Sequence, residues 1–190
     1  MKTWSKIRKP AIIGVLVLLA LSYYFYLTHR DDKKEKPVQQ TELSPYTERD
    51  MEHNYPSLPK QVVQFFVDIQ KIWYKQDISD EDFSKLVNNV RATFDPELLA
   101  LNDLTSYTER LTEEIASYKA ADKYILEYQI DTPTLKLLEE REYAIVPVRY
   151  YLIANGKPLT INQEFVLRKN TDNEWKILYW ARTDEPAGGE

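Results

Sequence analysis

Two hydrophobic rhythms follow one another along the folded part of this chain. Val62, Phe66, Ile69 and Trp73 recur at intervals of four, three and four, which is one face of a helix. Ser57-Leu58-Pro59 suits its start, with serine as N-cap and proline in the first turn. Ser79 with Asp82 resembles a capping box opening a second helix, where Phe83, Leu86, Val87, Val90 and Phe94 share a face. Asp95-Pro96 caps a short third piece, and a longer helix over 103–121 aligns Tyr107, Leu111, Ile115 and Tyr118. All these aromatics read as core.

After Asp122 the period falls towards two. Tyr124–Ile130 and Thr134–Leu138 read as short strands. Glu142–Ile153 is dense in β-branched and aromatic residues, and Asn155-Gly156 is a strong hairpin signal that pairs it with Leu159–Lys169. A polar turn, Asn170–Asn173, leads to Trp175–Arg182, apolar on both faces and so expected to be central or covered. Pro147 inside a long strand predicts a bulge or an edge. Helices followed by antiparallel strands give an α+β domain, with the helices on one face of a curved sheet.

Ahead of this domain lies a different kind of sequence. Ala11 to Leu27 is seventeen residues without a charge. As a helix it spans about 25 Å, close to the roughly 30 Å of a hydrocarbon layer. The pattern predicts a transmembrane signal-anchor at 11–28, with Ala11, Leu16, Leu18 and Leu19 in the lipid and Tyr23, Tyr24 and Tyr26 at an interface. The short basic tail 1–10 is expected in the cytoplasm and the large domain outside, which makes a single-pass protein of the cell membrane. Ala20-Leu21-Ser22 also fits the small-x-small rule of a cleaved signal peptide, an alternative that stays open. Residues 29–56 read as a polar stalk, 57–183 as the domain and 184–190 as a disordered tail.

Charge sharpens the picture. Residues 1–36 hold eight Lys/Arg and three acids, leaving 17 basic and 27 acidic groups beyond them, a net of −10. Such a domain repels phosphate backbones, so no nucleic-acid partner is expected. The absence of cysteine removes disulfides, thiolate metal sites and cysteine nucleophiles.

The domain resembles an uncharacterised family of membrane-anchored bacterial extracytoplasmic domains of NTF2-like type. The resemblance rests on Asn54-Tyr55-Pro56 with Pro59 and Val62-Val63, on Arg91 to Leu99 (RATFDPELL), and on Phe165-Val166-Leu167-Arg168-Lys169 with Trp175-Lys176-Ile177 and Trp180. It covers most of residues 50–182. It implies a place in the cell envelope, three to four helices on an NTF2-like or cystatin-like cone, and no assigned chemistry.

Candidate chemistry is sparse. The two histidines, His29 and His53, fall in the anchor's edge and the stalk, which takes away the commonest general base and metal ligand. Four glycines supply no phosphate loop. The acidic run Asp77, Asp80, Glu81, Asp82 lacks the spacing of a calcium loop and is explained as a helix start. No metal and no cofactor are expected. Asp68 is the one acid embedded in an apolar helix and hence the weak catalytic candidate. Phe65, Asp68, Trp73, Tyr150, Tyr151 and Trp175 are the candidate pocket lining.

Three functions follow as expectations. The first is a non-catalytic envelope module that meets the lipid bilayer through its N-terminus and an envelope protein, peptide or wall component through its domain. The second is a small-ligand binder, or an isomerase- or cyclase-like enzyme, using the pocket of an NTF2-like cone. The third is a spacer or oligomerisation unit.

Overall fold

The computed structural model describes residues 42–183. Its helices are α1 (Ser44–Thr47), α2 (Pro59–Lys75), α3 (Asp80–Arg91), α4 (Pro96–Leu101) and α5 (Leu104–Ala120). Five strands follow: β1 (Tyr124–Ile130), β2 (Thr134–Leu138), β3 (Arg141–Ala154), β4 (Lys157–Lys169) and β5 (Trp175–Arg182).

Local chemistry accounts for most of the boundaries. The Ser79 hydroxyl accepts from the Asp82 amide, Asp95 from Glu97 and Asp103 from Ser106, so three helix starts are capped by the side chain just outside them. At α2 the arrangement differs from the expected one. Leu58 is the N-cap, and the Gln61 side chain accepts from its amide at 3.3 Å while Ser57 donates to the same oxygen.

All strand pairs are antiparallel, in the order β1-β3-β4-β5, with β2 also on β3. β1 pairs with Val148–Ile153 and β2 with Arg141–Ile145, so they are two halves of one edge. Their interruption lies opposite Pro147, whose carbonyl accepts from the Asp131 amide at 3.0 Å. Neither the expected bulge nor an edge position is used here. A residue with no N–H to give sits where the neighbouring strand breaks, so no ladder bond is missed. Asn155 and Gly156 turn the β3–β4 hairpin at φ 49° and 71°.

β5 ends the sheet and is not central. Its edge is shielded at one point, where the Ile177 amide donates to the Thr93 carbonyl and its carbonyl accepts from the Asp95 amide. A register shift between Ile177 and Tyr179 explains why apolar residues occupy both parities of β5: Trp175 and Ile177 are buried, Tyr179 is exposed, and beyond the shift Trp180 turns inward onto Phe66.

The core lies between α2 and the sheet, where α2 packs against β1, β3 and β5. Ala144, Val146, Val148, Tyr150 and Leu152 of β3 are buried, alternating with less buried neighbours as a strand covered on one side requires. Phe66 is the hub, with ring centroids 5.5 Å from Phe165, 5.1 Å from Trp180 and 6.1 Å from Phe94. The expected core aromatics therefore pack into the space beneath the helices.

The expected architecture, a transmembrane helix followed by three to four helices on a sheet, is corrected. Among the described residues there are five helices and a five-stranded antiparallel sheet, and no helix is long and apolar enough to cross a membrane. The stretch 11–28, with Ala11, Leu16, Leu18, Leu19, Tyr23, Tyr24 and Tyr26, lies outside the described residues, as does 184–190. The extra helix, α1, falls within the stretch expected to be stalk. From Leu43 onward that stretch is bound to the domain: Leu43, Tyr46, Met51 and Tyr55 pack on the core, and the Tyr55 hydroxyl donates to the Trp175 carbonyl at 2.7 Å. Scattered apolar anchors among charges conceal this from any periodicity.

Candidate functional site

Gln61, Gln64, Phe65 and Asp68 stand at positions i, i+3, i+4 and i+7 of α2, a single stripe along one flank of the helix. The segment from α1 to Pro56 runs beside that stripe and makes the second wall of a groove. Tyr46 packs against Phe65 with ring centroids 5.9 Å apart, and its carbonyl accepts from Asn89 Nδ2 of α3 at 2.7 Å. The Arg49 guanidinium lies 5.1 Å from the Phe65 ring centroid, and its Nε donates to the Asn54 carbonyl at 2.9 Å. The Lys176 ammonium lies 4.0 Å from the Tyr55 ring centroid, which pins the far end of the wall to β5. Between the walls is an open groove of about 450 Å³, lined by the α2 stripe from Gln61 to Asp68 and, across from it, by Tyr46, Arg49, Asn54 and Tyr55 with Pro45 and Pro56.

Asp68 is half-buried and accepts from the Tyr128 hydroxyl of β1. The Tyr46 hydroxyl also hydrogen-bonds to it. Burial pushes its carboxyl above the ordinary range, while the two phenols and the charge of Lys71 pull it back. Tyr46 is pushed up to about 12, first by burial and then by the negative charge of Asp68. Tyr128 moves in the same direction for the same two reasons. The carboxylate is thus a satisfied acceptor clamping three elements, α1, α2 and β1. Its phenol neighbours are poor acids, held neutral across the physiological range.

The other expected pocket residues do not gather around Asp68. Phe65 is buried beneath Arg49 and forms part of the groove floor. Trp73 is 1 % exposed and packs on Phe83, and its Nε1 has no hydrogen-bond partner among the described residues. Trp175 is buried with the Lys169 ammonium over its ring. Tyr150 lines a separate, smaller cavity of about 110 Å³ between α2, α5 and the sheet. There its hydroxyl donates to Gln70, Tyr74 donates to Glu114 at 3.0 Å, and Tyr74 stacks on Tyr118. Tyr151, the next residue along β3, falls on the opposite side of the sheet. Of the expected set only Phe65 and Asp68 share a site.

Tyr46, Arg49, Asn54, Gln61, Gln64 and Tyr128 are the site residues that sequence reasoning missed. The α2 stripe was open to detection, since its spacing puts two amides beside Phe65 and Asp68. The partnership of Asp68 with Tyr128, 60 positions away, leaves no local signal. His53 is exposed and bonds to Asp50 at 2.8 Å, outside the groove.

No curated protein matches the chain. The chain belongs to the family described as a domain of unknown function, DUF6715, whose profile matches residues 1–180.

Proposed function

We propose that this protein is a non-catalytic binding module of the bacterial cell envelope, held at the cell membrane and presenting the groove beside α2, on its outer side, to a protein, peptide or wall component. One observation carries the reading. Phe66, Phe94, Phe165 and Trp180 occupy the space beneath the helices so far that only a cavity of about 110 Å³ is left there, while a groove of about 450 Å³ stays open on the flank. That volume falls within the range of known ligand sites. Asp68, the acid that could do chemistry there, is already engaged by two phenols. The finer resemblance, to membrane-anchored domains of NTF2-like type, belongs to the same proposal. Its support is the order of elements, helices before an antiparallel sheet, and the uncharged stretch 11–27.

A second reading, a small-ligand binder or isomerase-like enzyme, draws on the raised pKa of Asp68 at the end of an open groove. It needs a substrate proton within reach of a carboxylate that two phenol hydroxyls already engage, which makes it the weaker of the two.

The test is photo-cross-linking in intact cells of the native host. A photoreactive residue at Gln64, exposed in the groove, is compared with one at Lys157, exposed in the β3–β4 hairpin. A discrete partner captured from position 64 and absent from 157 supports the binding module. Identical patterns at both positions, or none at either, would sink it.

A further inference from the structure

We infer that the small cavity between α2, α5 and the sheet is a binding site for a free α-amino acid with a small side chain. The inference goes beyond the binding-module reading. It concerns a different place on the molecule and stands whether or not the groove has a partner.

The cavity of about 110 Å³ has a helical wall, from α2 and α5, and a sheet wall. Its charged groups are one acid and one base, carried on those two walls: Glu114 comes from α5 and Arg182 from the end of β5. Arg182 pairs with Gln163 across the ladder, which sets both on the face that carries Phe165 and Trp180. Neither charge has a countercharge among the described residues. Glu114 accepts from the neutral Tyr74 hydroxyl at 3.0 Å. The bases near it in sequence are engaged elsewhere: Arg110 with Asn102, Lys119 with Asp77 at 2.7 Å, and Lys123 over the Tyr118 ring at 4.1 Å. Arg182 makes no ion pair among the described residues. Exposure alone would account for either charge left unpaired. On facing walls of one cavity the two make a bipolar site.

The rest of the lining narrows the ligand. Tyr74 and Tyr150 are buried, and their hydroxyls go to Glu114 and to Gln70 Oε1. Those bonds steady the carboxylate and leave the Gln70 amide nitrogen and both ends of the Gln163 amide open to a guest. Ile125, Leu152 and Ile161 add apolar lining for an aliphatic group. The volume lies well below the roughly 300–1,000 Å³ of sites for drug-sized ligands, which excludes a peptide or a sugar chain.

A small α-amino acid meets each of these demands. Its carboxylate takes two parallel charge-assisted bonds from the Arg182 fork, its ammonium gives to Glu114, and its short side chain meets the apolar lining. A lone carboxylate would face Glu114 uncompensated, and a lone amine would face Arg182, so each half of the pattern loses at one wall. A zwitterion carries no net charge, so the surplus of −10 beyond residue 36 neither draws nor repels it.

The test is equilibrium dialysis of the full 190-residue chain, in detergent solution, against radiolabelled glycine and L-alanine. At least one of them should bind saturably. Propionate and ethylamine, each with half of the charge pattern, should compete about tenfold more weakly or worse. Glu114→Gln and Arg182→Gln should each weaken binding by about tenfold or more. Glu114→Gln still offers Tyr74 an acceptor, and Arg182 is exposed at the end of β5, so thermal unfolding should stay at the wild-type temperature. Arg182→Lys, which keeps the charge without the fork, should fall between wild type and Arg182→Gln, and it serves if a glutamine variant fails to fold. Absence of saturable binding by either amino acid would overturn the inference. Competition by propionate or ethylamine at amino-acid strength, or a folded glutamine variant that binds like wild type, would do the same. Cross-linking at position 64 reads the groove and judges the binding module separately.

Discussion

Asp95 grips Arg168 with both carboxylate oxygens, Oδ2 from Nε at 3.0 Å and Oδ1 from the terminal nitrogen at 2.5 Å. The pair joins the start of α4 to β4, 73 positions further on, and Asp95 is 2 % exposed. The same carboxylate also caps α4 through the Glu97 amide, while Glu97 holds the other terminal nitrogen of Arg168 at 2.8 Å. Asp95→Ala therefore removes a cap and leaves a guanidinium that is 13 % exposed with Glu97 as its remaining carboxylate. The expected loss is about 3–5 kcal/mol in urea unfolding. Adding Arg168→Met should recover a good part of it, because an apolar pair is tolerated where a lone charge is not. A loss below about 1 kcal/mol for the single change would show that water reaches the pair.

Asp68 gives a pH signature of definite sign. Its folded pKa lies above its ordinary value of 3.8, chiefly through burial. The folded protein therefore binds more protons than the unfolded chain between those two values, and this group's contribution falls as pH rises through them. Below 3.8 the contribution is at its most favourable, and above the raised value it levels off. The stability of wild type relative to Asp68→Asn should decline over that window in urea titrations from acid to neutral pH, then stay flat. A difference independent of pH would refute the assignment. In the same variant Tyr46, now at about 12, should titrate lower while staying above 10.0, since burial remains and the charge of Asp68 is gone.

Trp73 offers an unusual substitution. Its indole Nε1 is buried with no partner among the described residues, and leaving a buried donor unsatisfied costs about 1–3 kcal/mol. Trp73→Phe discards that liability along with some packing volume against Phe83. The two effects oppose each other, and thermal unfolding should register a net change within about 1 kcal/mol. Trp73→Ala, which discards the same N–H but far more volume, should cost about 3–5 kcal/mol. Equal losses for the two variants would mean that the indole N–H is hydrogen-bonded after all.

The β2–β3 turn is built from two glutamates in the left-handed region, Glu139 at φ 48° and Glu140 at φ 65°. Left-handed backbone costs an L-residue of this kind about 1–2 kcal/mol. Asn-Gly makes the equivalent turn between β3 and β4 without that cost. Glu139→Asn with Glu140→Gly should raise stability by about 1–2 kcal/mol, read as a higher Tm. An unchanged or lower Tm would place a compensating contact at the glutamates.

How far the fold could be read in advance depended on whether the signal was local. The α2 face from Val62 to Trp73, the capping serine at 79, the change of period after Asp122 and the Asn155-Gly156 turn are all stated within a few residues, and each locates its element. Pro147 was legible as an anomaly but not in its resolution, because the break that accommodates it lies in another strand. The segment 43–55 was hidden for a different reason. Its anchors, Leu43, Tyr46, Met51 and Tyr55, follow no period and are separated by charges, so only the finished core shows what they cover. The groove inherits that difficulty. One wall is a helical stripe, visible at spacings of three and four, while the other exists only once α1 has folded against it.

The bond from the Tyr55 hydroxyl to the Trp175 carbonyl, 120 positions away, also bears on the order of events in the living cell. A segment at the beginning of the domain finds its acceptor in the last strand of the sheet. The hairpins of the sheet can close locally as they emerge, but the groove's outer wall must wait for β5. High sequence separation of this kind slows the final step of folding. Truncation within β5 should therefore release the 43–56 segment before it unravels the meander.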